Sequence, residues 1–347
     1  MKIRIDFKDK KTWIIGGSAA AVVLIMILCI VIAHNNKKKA EREKANTGVV
    51  STEVKKPPVD EAVTLETKAI AGIEGSPCGV AVRADGSLLI TDSRSKVLWS
   101  VKNGTATVIA GKIGPDGANG EPMGGYSDAW RTEAKFAKPW GVASFLDGFA
   151  VSDSKNQVIR FFTGDQVRTA AYKGSERTLV NPAGLASDDK GNLYIADAGA
   201  GAIYKMDEQG IMTMVADGFS SPSDVCWSNG ILYVADTGSH RILSIQNGLA
   251  SIVAGSTAGF RDGSAEEACF QNPQGVTVGE DGQIYVADTG NSAIRVIKKD
   301  GTVKTLITLS DDSTWPVAPI DLTPYQGGLV VVDEFSGVVF QMPYAKD

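Results

Sequence analysis

Histidine is almost missing from this chain, with only His34 and His240 in 347 residues. A zinc cage built from several imidazoles is excluded by that count, and with one histidine beyond residue 62 no Ser/His/Asp or Cys/His arrangement is arguable. Cysteine is nearly as sparse. Cys29 falls in an apolar run, which leaves Cys78, Cys226 and Cys269, an odd number without metal-ligand spacing, read as free interior thiols. Positive charge is short too. After residue 62 there are 23 Lys/Arg against 33 Asp/Glu, a net charge of −10, and such a surface does not suit nucleic acid, whose phosphates need a basic face.

Long apolar runs are absent with one exception, Trp13–Ala33, which holds 21 residues without a charge. At about 1.5 Å per residue this stretch spans roughly 30 Å, the thickness of a bilayer's hydrocarbon core. Val31-x-Ala33 would suit a signal-peptidase cut, but the run is longer than the usual apolar region of a cleaved peptide, so an uncleaved signal-anchor is expected. Five basic residues precede it and five follow closely (Lys37, Lys38, Lys39, Arg42, Lys44), which leaves the positive-inside count tied. A short basic tail ahead of a first span stays inside as a rule. The expectation is therefore a cytoplasmic tail at 1–12, a transmembrane helix at 13–33 contacting the lipid bilayer, and everything beyond on the extracytoplasmic side of a cell membrane. That tail has no room for a signalling domain, so any signal passes through a partner. Residues 34–62, rich in Lys and Glu and ending in Lys55-Lys56-Pro57-Pro58, read as a flexible stalk.

Beyond the stalk the chain repeats itself. Asn272–Leu309 holds four short apolar runs (GVTV, QIYVAD, AIRVIK, VKTLITL) separated by Asp-Gly and Asp-Thr-Gly-Asn turns, the pattern of an antiparallel four-stranded meander. The same grammar recurs from Pro77, Pro139, Pro182, Pro222 and Pro319, each proline preceding an aspartate by 14 or 15 residues: Asp92, Asp153, Asp197, Asp236, Asp288 (from Pro273) and Asp333. Four-stranded units at intervals of roughly 40 to 60 residues fit a propeller rather than a solenoid.

The residues P-x-G-V near a strand start, then YVAD-T-G-N/S-x-x-I, closely resemble NHL-repeat six-bladed β-propellers, and the likeness covers Val63 to Tyr344. The resemblance implies an all-β, six-bladed β-propeller over 63–347. Only three strands follow Pro319, while Thr64–Gly72 is similar to the outer strands TATVIAG and ASIVAG. The first strand is therefore expected to complete the last blade and remove an open sheet edge.

Two blade-joining loops are long, Lys112–Lys138 and Ser256–Asn272, and they share a motif: GGYSDAWRTEAKFAKPWG aligns without a gap on AGFRDGSAEEACFQNPQG. Tyr126 matches Phe260, Asp128 matches Asp262, and Phe136 matches Phe270. One reading has the aromatics covering the blade tops while Asp128 and Asp262 tie down the loop backbone. The other makes Tyr126, Trp130, Arg131, Trp140, Phe260 and Arg261, with His240 in the turn DTGSHRI, a ligand-binding rim, since aromatic and Arg side chains anchor most binding surfaces. The six repeated aspartates read as acceptors for turn amides. Where four blades carry Gly79, Gly141, Gly184 and Gly275, blades four and six carry Asp224 and Asp321, a candidate pair for a hard cation such as Ca²⁺ at the channel mouth. No other cofactor is expected. Some relatives of the resembled fold are enzymes; streptogramin-lyase-like and lactonase-like propellers use a histidine or a cluster of acids and Asn at the channel, constellations that are not matched residue by residue in this sequence. The reading is a membrane-tethered binding module for a protein, peptide or glycan at the cell envelope. The alternative is a lyase- or lactonase-like enzyme using a channel-mouth cation.

Overall fold

The computed structural model describes residues 68–345 apart from 116, 118–121, 173–177 and 309–317. The tail, the apolar run 13–33 and the stalk lie outside them. Among the described residues no helix is long and apolar enough to cross a membrane.

Six antiparallel sheets follow one another along the chain, each running from an inner to an outer strand. Blade 1 is Pro77–Val82, Leu88–Asp92, Val97–Lys102 and Thr105–Ala110; blade 3 is Pro182–Ser187, Leu193–Asp197, Ala202–Met206 and Met212–Asp217; blade 4 is Pro222–Ser228, Ile231–Asp236, Arg241–Gln246 and Leu249–Ala254. Blade 5 is Gly275–Val278, Ile284–Asp288, Ala293–Ile297 and Val303–Thr308. Blade 2 has Pro139–Phe145, Gly148–Asp153, Val158–Thr163 and Gln166–Thr169, and gains a fifth, outermost strand, Ala129–Trp130, from its long incoming loop. Blade 6 is Pro319–Tyr325, Gly328–Asp333 and Val338–Pro343, completed by Lys68–Gly72 in antiparallel register with Lys68 opposite Gln341 and Gly72 opposite Val338. The ring is closed by the chain's own first described strand, as its likeness to the other outer strands implies.

Local sequence explains the hairpins. Asn103-Gly104, Asn229-Gly230, Asn247-Gly248 and Gln326-Gly327 all hold consecutive positive φ values, the mirror-image turn whose twist matches that of paired strands. Alternation then places apolar residues on both faces of each sheet, because every blade is covered on both sides by neighbours. The core is accordingly six cores, one at each blade interface: Leu89 and Phe149 meet between blades 1 and 2, for example, and Val80 and Ile320 between blades 1 and 6.

Candidate functional site

The six repeated aspartates are fully buried. Each carboxylate accepts from backbone amides of its own turn, of the loop entering its blade, or of both: Asp92 from Ser76 N (3.1 Å) and Ser95 N (2.8 Å), Asp197 from Val180 N and Asn181 N (both 2.8 Å), Asp236 from Ser220 N (2.6 Å), Asp333 from Ser336 N (2.7 Å). They are the pins that hold the strand-two turns against the blade-joining loops. The hydroxyl that follows three of them reaches the next blade: Ser154, Thr237 and Thr289 donate to the carbonyls of Pro182 (2.5 Å), Pro273 (2.7 Å) and Pro319 (2.6 Å). The threonine of the D-T-G motif is thus an inter-blade clamp.

The twin loops close around two buried arginines that sequence reasoning missed. Arg160 lies between the rings of Tyr126 (5.2 Å) and Phe136 (5.1 Å), and Arg295 between Phe260 (5.0 Å) and Phe270 (5.1 Å). Rather than tying down their own loop, Asp128 and Asp262 pair with these guanidiniums at 2.8 and 2.6 Å and accept from the outer-strand amides of Thr169 (3.0 Å) and Thr305 (2.9 Å). Each arginine also meets its blade's pin, Asp153 at 3.4 Å or Asp288 at 2.7 Å. Burial lifts both of those carboxyls above the ordinary range even with an arginine beside them. A signal for the pairing exists within the chain. At the third position of the third strand the other blades carry Trp99, Tyr204, Leu243 and Phe340, and only the two blades entered by long loops carry Arg.

The residues grouped from sequence as a rim do not come together as one. Tyr126 stands at the outer strand of blade 2, its hydroxyl donating to Thr169 Oγ1 at 2.9 Å, and is 56 % exposed. Trp130, 61 % exposed, pairs with Gln166 at the opposite end of that strand, and Arg131 there binds the Gly164 carbonyl beside Asp165. Trp140 belongs to the inner strand and lines the central channel, with Lys138 Nζ 4.2 Å over its ring. Phe260 and Arg261 sit on blade 5, three blades further round, where Arg261 Nε donates to the Glu267 carbonyl at 2.6 Å. His240 takes the left-handed position after Thr237–Ser239 and accepts from Asn272 N at 3.1 Å.

What the ring does bring together is the channel. Its cavity of about 310 Å³ is lined by the six inner strands. Asp224 reaches forward to accept from Val276 N on blade 5 (2.9 Å), and Asp321 from Val80 N on blade 1 (2.7 Å), so each carboxylate satisfies an edge amide of the next inner strand. Within blades 1 and 2 the amide at the glycine position is held by a hydroxyl of the blade's own second strand, Thr91 accepting from Gly79 N and Ser152 from Gly141 N, both at 2.8 Å. The glycines are required by closeness: a Cβ on Gly184 would lie 2.5 Å from Asp224 Cα, backbone that cannot yield.

Burial first, and then the charge of Asp321, raises the Asp224 carboxyl well above the usual carboxylate range; burial raises Asp321. Burial also pushes the Cys226 thiol to about 11 and Cys78 to about 12, so neither is a thiolate nucleophile near neutrality. In the folded state these carboxyls keep protons that an unfolded aspartate, with a pKa of about 3.9, has lost, so stability falls as pH rises from about 4 through their raised values. Thermal midpoints measured from about pH 5 to 8 should decline in the native chain and decline less in Asp224→Asn/Asp321→Asn. An unchanged slope in that variant would assign the decline to other groups.

As a calcium centre the pair falls short. Ca²⁺ takes six to eight oxygens, whereas each carboxylate here already serves a backbone amide, and Asp321 serves Leu322 N as well at 2.7 Å. Among the described residues no group of three or more His, Cys, Asp or Glu could hold a metal ion. The residues present do not fit the cation expected from sequence.

Residues 184–318 match the model of the SMP-30/gluconolactonase/LRE-like region. NHL repeat-containing protein 2 of Gallus gallus is 42% identical over 78 residues, 22% of this chain and 11% of that protein. With six antiparallel blades, five of four strands and one of five, and these repeats together, the fold is decided. The domain is a six-bladed β-propeller whose repeats are similar to those of NHL repeat-containing proteins. Protein SUPPRESSOR OF QUENCHING 1, chloroplastic, of Arabidopsis thaliana is 26% identical over 205 residues, 51% of this chain and 19% of that one. The chain spans about a fifth or less of the length of these two relatives. Virginiamycin B lyase from Staphylococcus aureus shares the propeller's fold, with a TM-score of 0.58 at 13% identity over 81% of this chain and 99% of that chain.

Proposed function

We propose that this chain is a binding module: an NHL-type propeller tethered by a signal-anchor at residues 13–33 and presenting its outer loops, outside the membrane, to a protein, peptide or glycan of the cell envelope. The observation that carries the reading is the loop from Gly124 to Lys138. It displays Tyr126 and Trp130 at 56 % and 61 % exposure while its base is fixed by the buried Arg160 clamp. Large aromatics held on a rigid base lose little entropy on contact with a partner. Catalysis has less support, since among the described residues the channel lining offers two thiols held neutral by burial and two carboxyls, and no histidine.

Affinity capture with the full chain from its own membrane fraction tests the reading, with Trp130→Ala and Trp140→Ala compared side by side. Trp130→Ala should lose the partner about tenfold or more, as expected of an anchor worth about 1.4–2 kcal/mol, and Trp140→Ala should keep it. Equal recovery by all three would remove the loop as the binding surface. Metal-dependent turnover of a lactone or ester would replace the reading with the lyase- or lactonase-like one. Protease added to intact cells should degrade the propeller; protection would reverse the orientation.

A further inference from the structure

The central cavity has one sign of charge. Of the residues that line it, Asp224 and Asp321 alone are charged; no Lys, Arg or His faces it, and neither carboxylate has an ion pair among the described residues. Two half-buried carboxylates set in one narrow channel without a protein counter-charge are costly, and a guest cation or a retained proton relieves that cost. Donor counting removes a hard metal, as shown above. The rest of the lining is uncharged, with hydroxyls of Ser187, Thr277 and Thr323 and the rings of Trp140 and Trp227. Tryptophan faces attract cations, and Trp140 already holds one, Lys138 Nζ at 4.2 Å, although Lys138 itself does not line the cavity. At about 310 Å³ the space is at the small end of ligand sites, large enough for a few heavy atoms.

We infer that the channel is a binding site for a small organic cation of the primary alkylammonium class, its N–H groups donating to Asp224 and Asp321 and its stem lying against the Trp140 and Trp227 rings. An ammonium needs only two or three acceptors, and each carboxylate oxygen has a second lone pair beyond the one that serves a backbone amide. The site is separate from the outer-loop surface, so Trp130→Ala, which tests that surface, leaves this one intact.

The test is isothermal titration of the full chain with n-butylammonium chloride, against 1-butanol as the uncharged isostere, sodium chloride and calcium chloride. Saturable heat is expected for butylammonium alone, weakened at least tenfold in Asp224→Asn/Asp321→Asn, whose amide oxygens can still accept from Val276 and Val80. Trp227 stacks one face on Tyr194, at 5.1 Å between centroids. Trp227→Leu should therefore weaken the heat severalfold while sparing the carboxylates, and it decides the matter if the double variant does not fold. Equal response to 1-butanol would show apolar filling only and overturn the assignment. So would saturable calcium binding, an unchanged affinity in the folded double variant, or no heat at all, in which case a shared proton alone compensates the pair.

Discussion

Arg295→Met should destabilise the propeller by roughly 3–5 kcal/mol, the cost of breaking a buried ion pair by removing one partner. The arginine has no exposed surface, and its two terminal nitrogens serve four acceptors: Asp288 (2.7 Å), Asp262 (2.6 Å) and the carbonyls of Cys269 (3.1 Å) and Arg261 (2.8 Å). Methionine fills much of the volume between Phe260 and Phe270 but satisfies none of these oxygens, and it strands Asp288, itself fully buried. Arg295→Lys keeps the charge and loses the planar fork that reaches both carboxylates, so it should fall between the two. Arg160→Met should cost less than Arg295→Met, because Arg160 meets Asp153 at 3.4 Å where Arg295 meets Asp288 at 2.7 Å. Urea denaturation of the three variants supplies the ranking. A loss below about 1 kcal/mol for Arg295→Met, the worth of an exposed pair, would mean that the clamp does not hold the blade.

Removing Lys68–Gly72 should lower the thermal midpoint of the whole propeller by about 10 °C or more in a single transition, since a few kcal/mol moves a domain of this size by about that much. The strand is the outermost member of blade 6 and pairs along Val338–Gln341, and Ile70 and Ala71 pack on the core shared by blades 6 and 1. Without it the last blade has three strands and an open edge, and the ring is no longer joined through its own sheet. Because every blade buries its faces on two neighbours, weakening one interface is felt by all six. Calorimetry of the shortened chain is the measurement. A midpoint equal to that of the native chain would show that the remaining blades close the ring without the strand, and a separate early transition would confine the effect to blade 6.

Much of this architecture is legible in the one-dimensional pattern because its causes are local. Asn-Gly and Asp-Gly turns, the two-residue alternation between them and the Asp that ends each second strand lie within a few residues of what they control, so blade number, strand order and the closing strand can all be read. Asp224 and Asp321 stand out as departures from a repeated glycine, which is again visible in a row of letters. Their chemistry is not. That Asp321 bonds Val80 N across 241 positions, and has no ion pair among the described residues, depends on the ring having closed.

The aromatic rim is the reverse case. Tyr126, Trp130 and Arg131 are neighbours in sequence, yet the loop runs down the outer strand of blade 2, which places Tyr126 by Thr169 and Arg131 by Gly164, at opposite ends. Arg160 and Arg295 look in sequence like ordinary strand residues with an outward side. They are buried because a loop that begins more than thirty positions earlier folds over them. By itself the sequence determined the repeat and hence the six-bladed ring, since hairpins and apolar alternation are written at short range. Only the tertiary structure decided which carboxylates are pins, which are clamps and which face the central channel, because burial and charge pairing depend on what arrives from far along the chain.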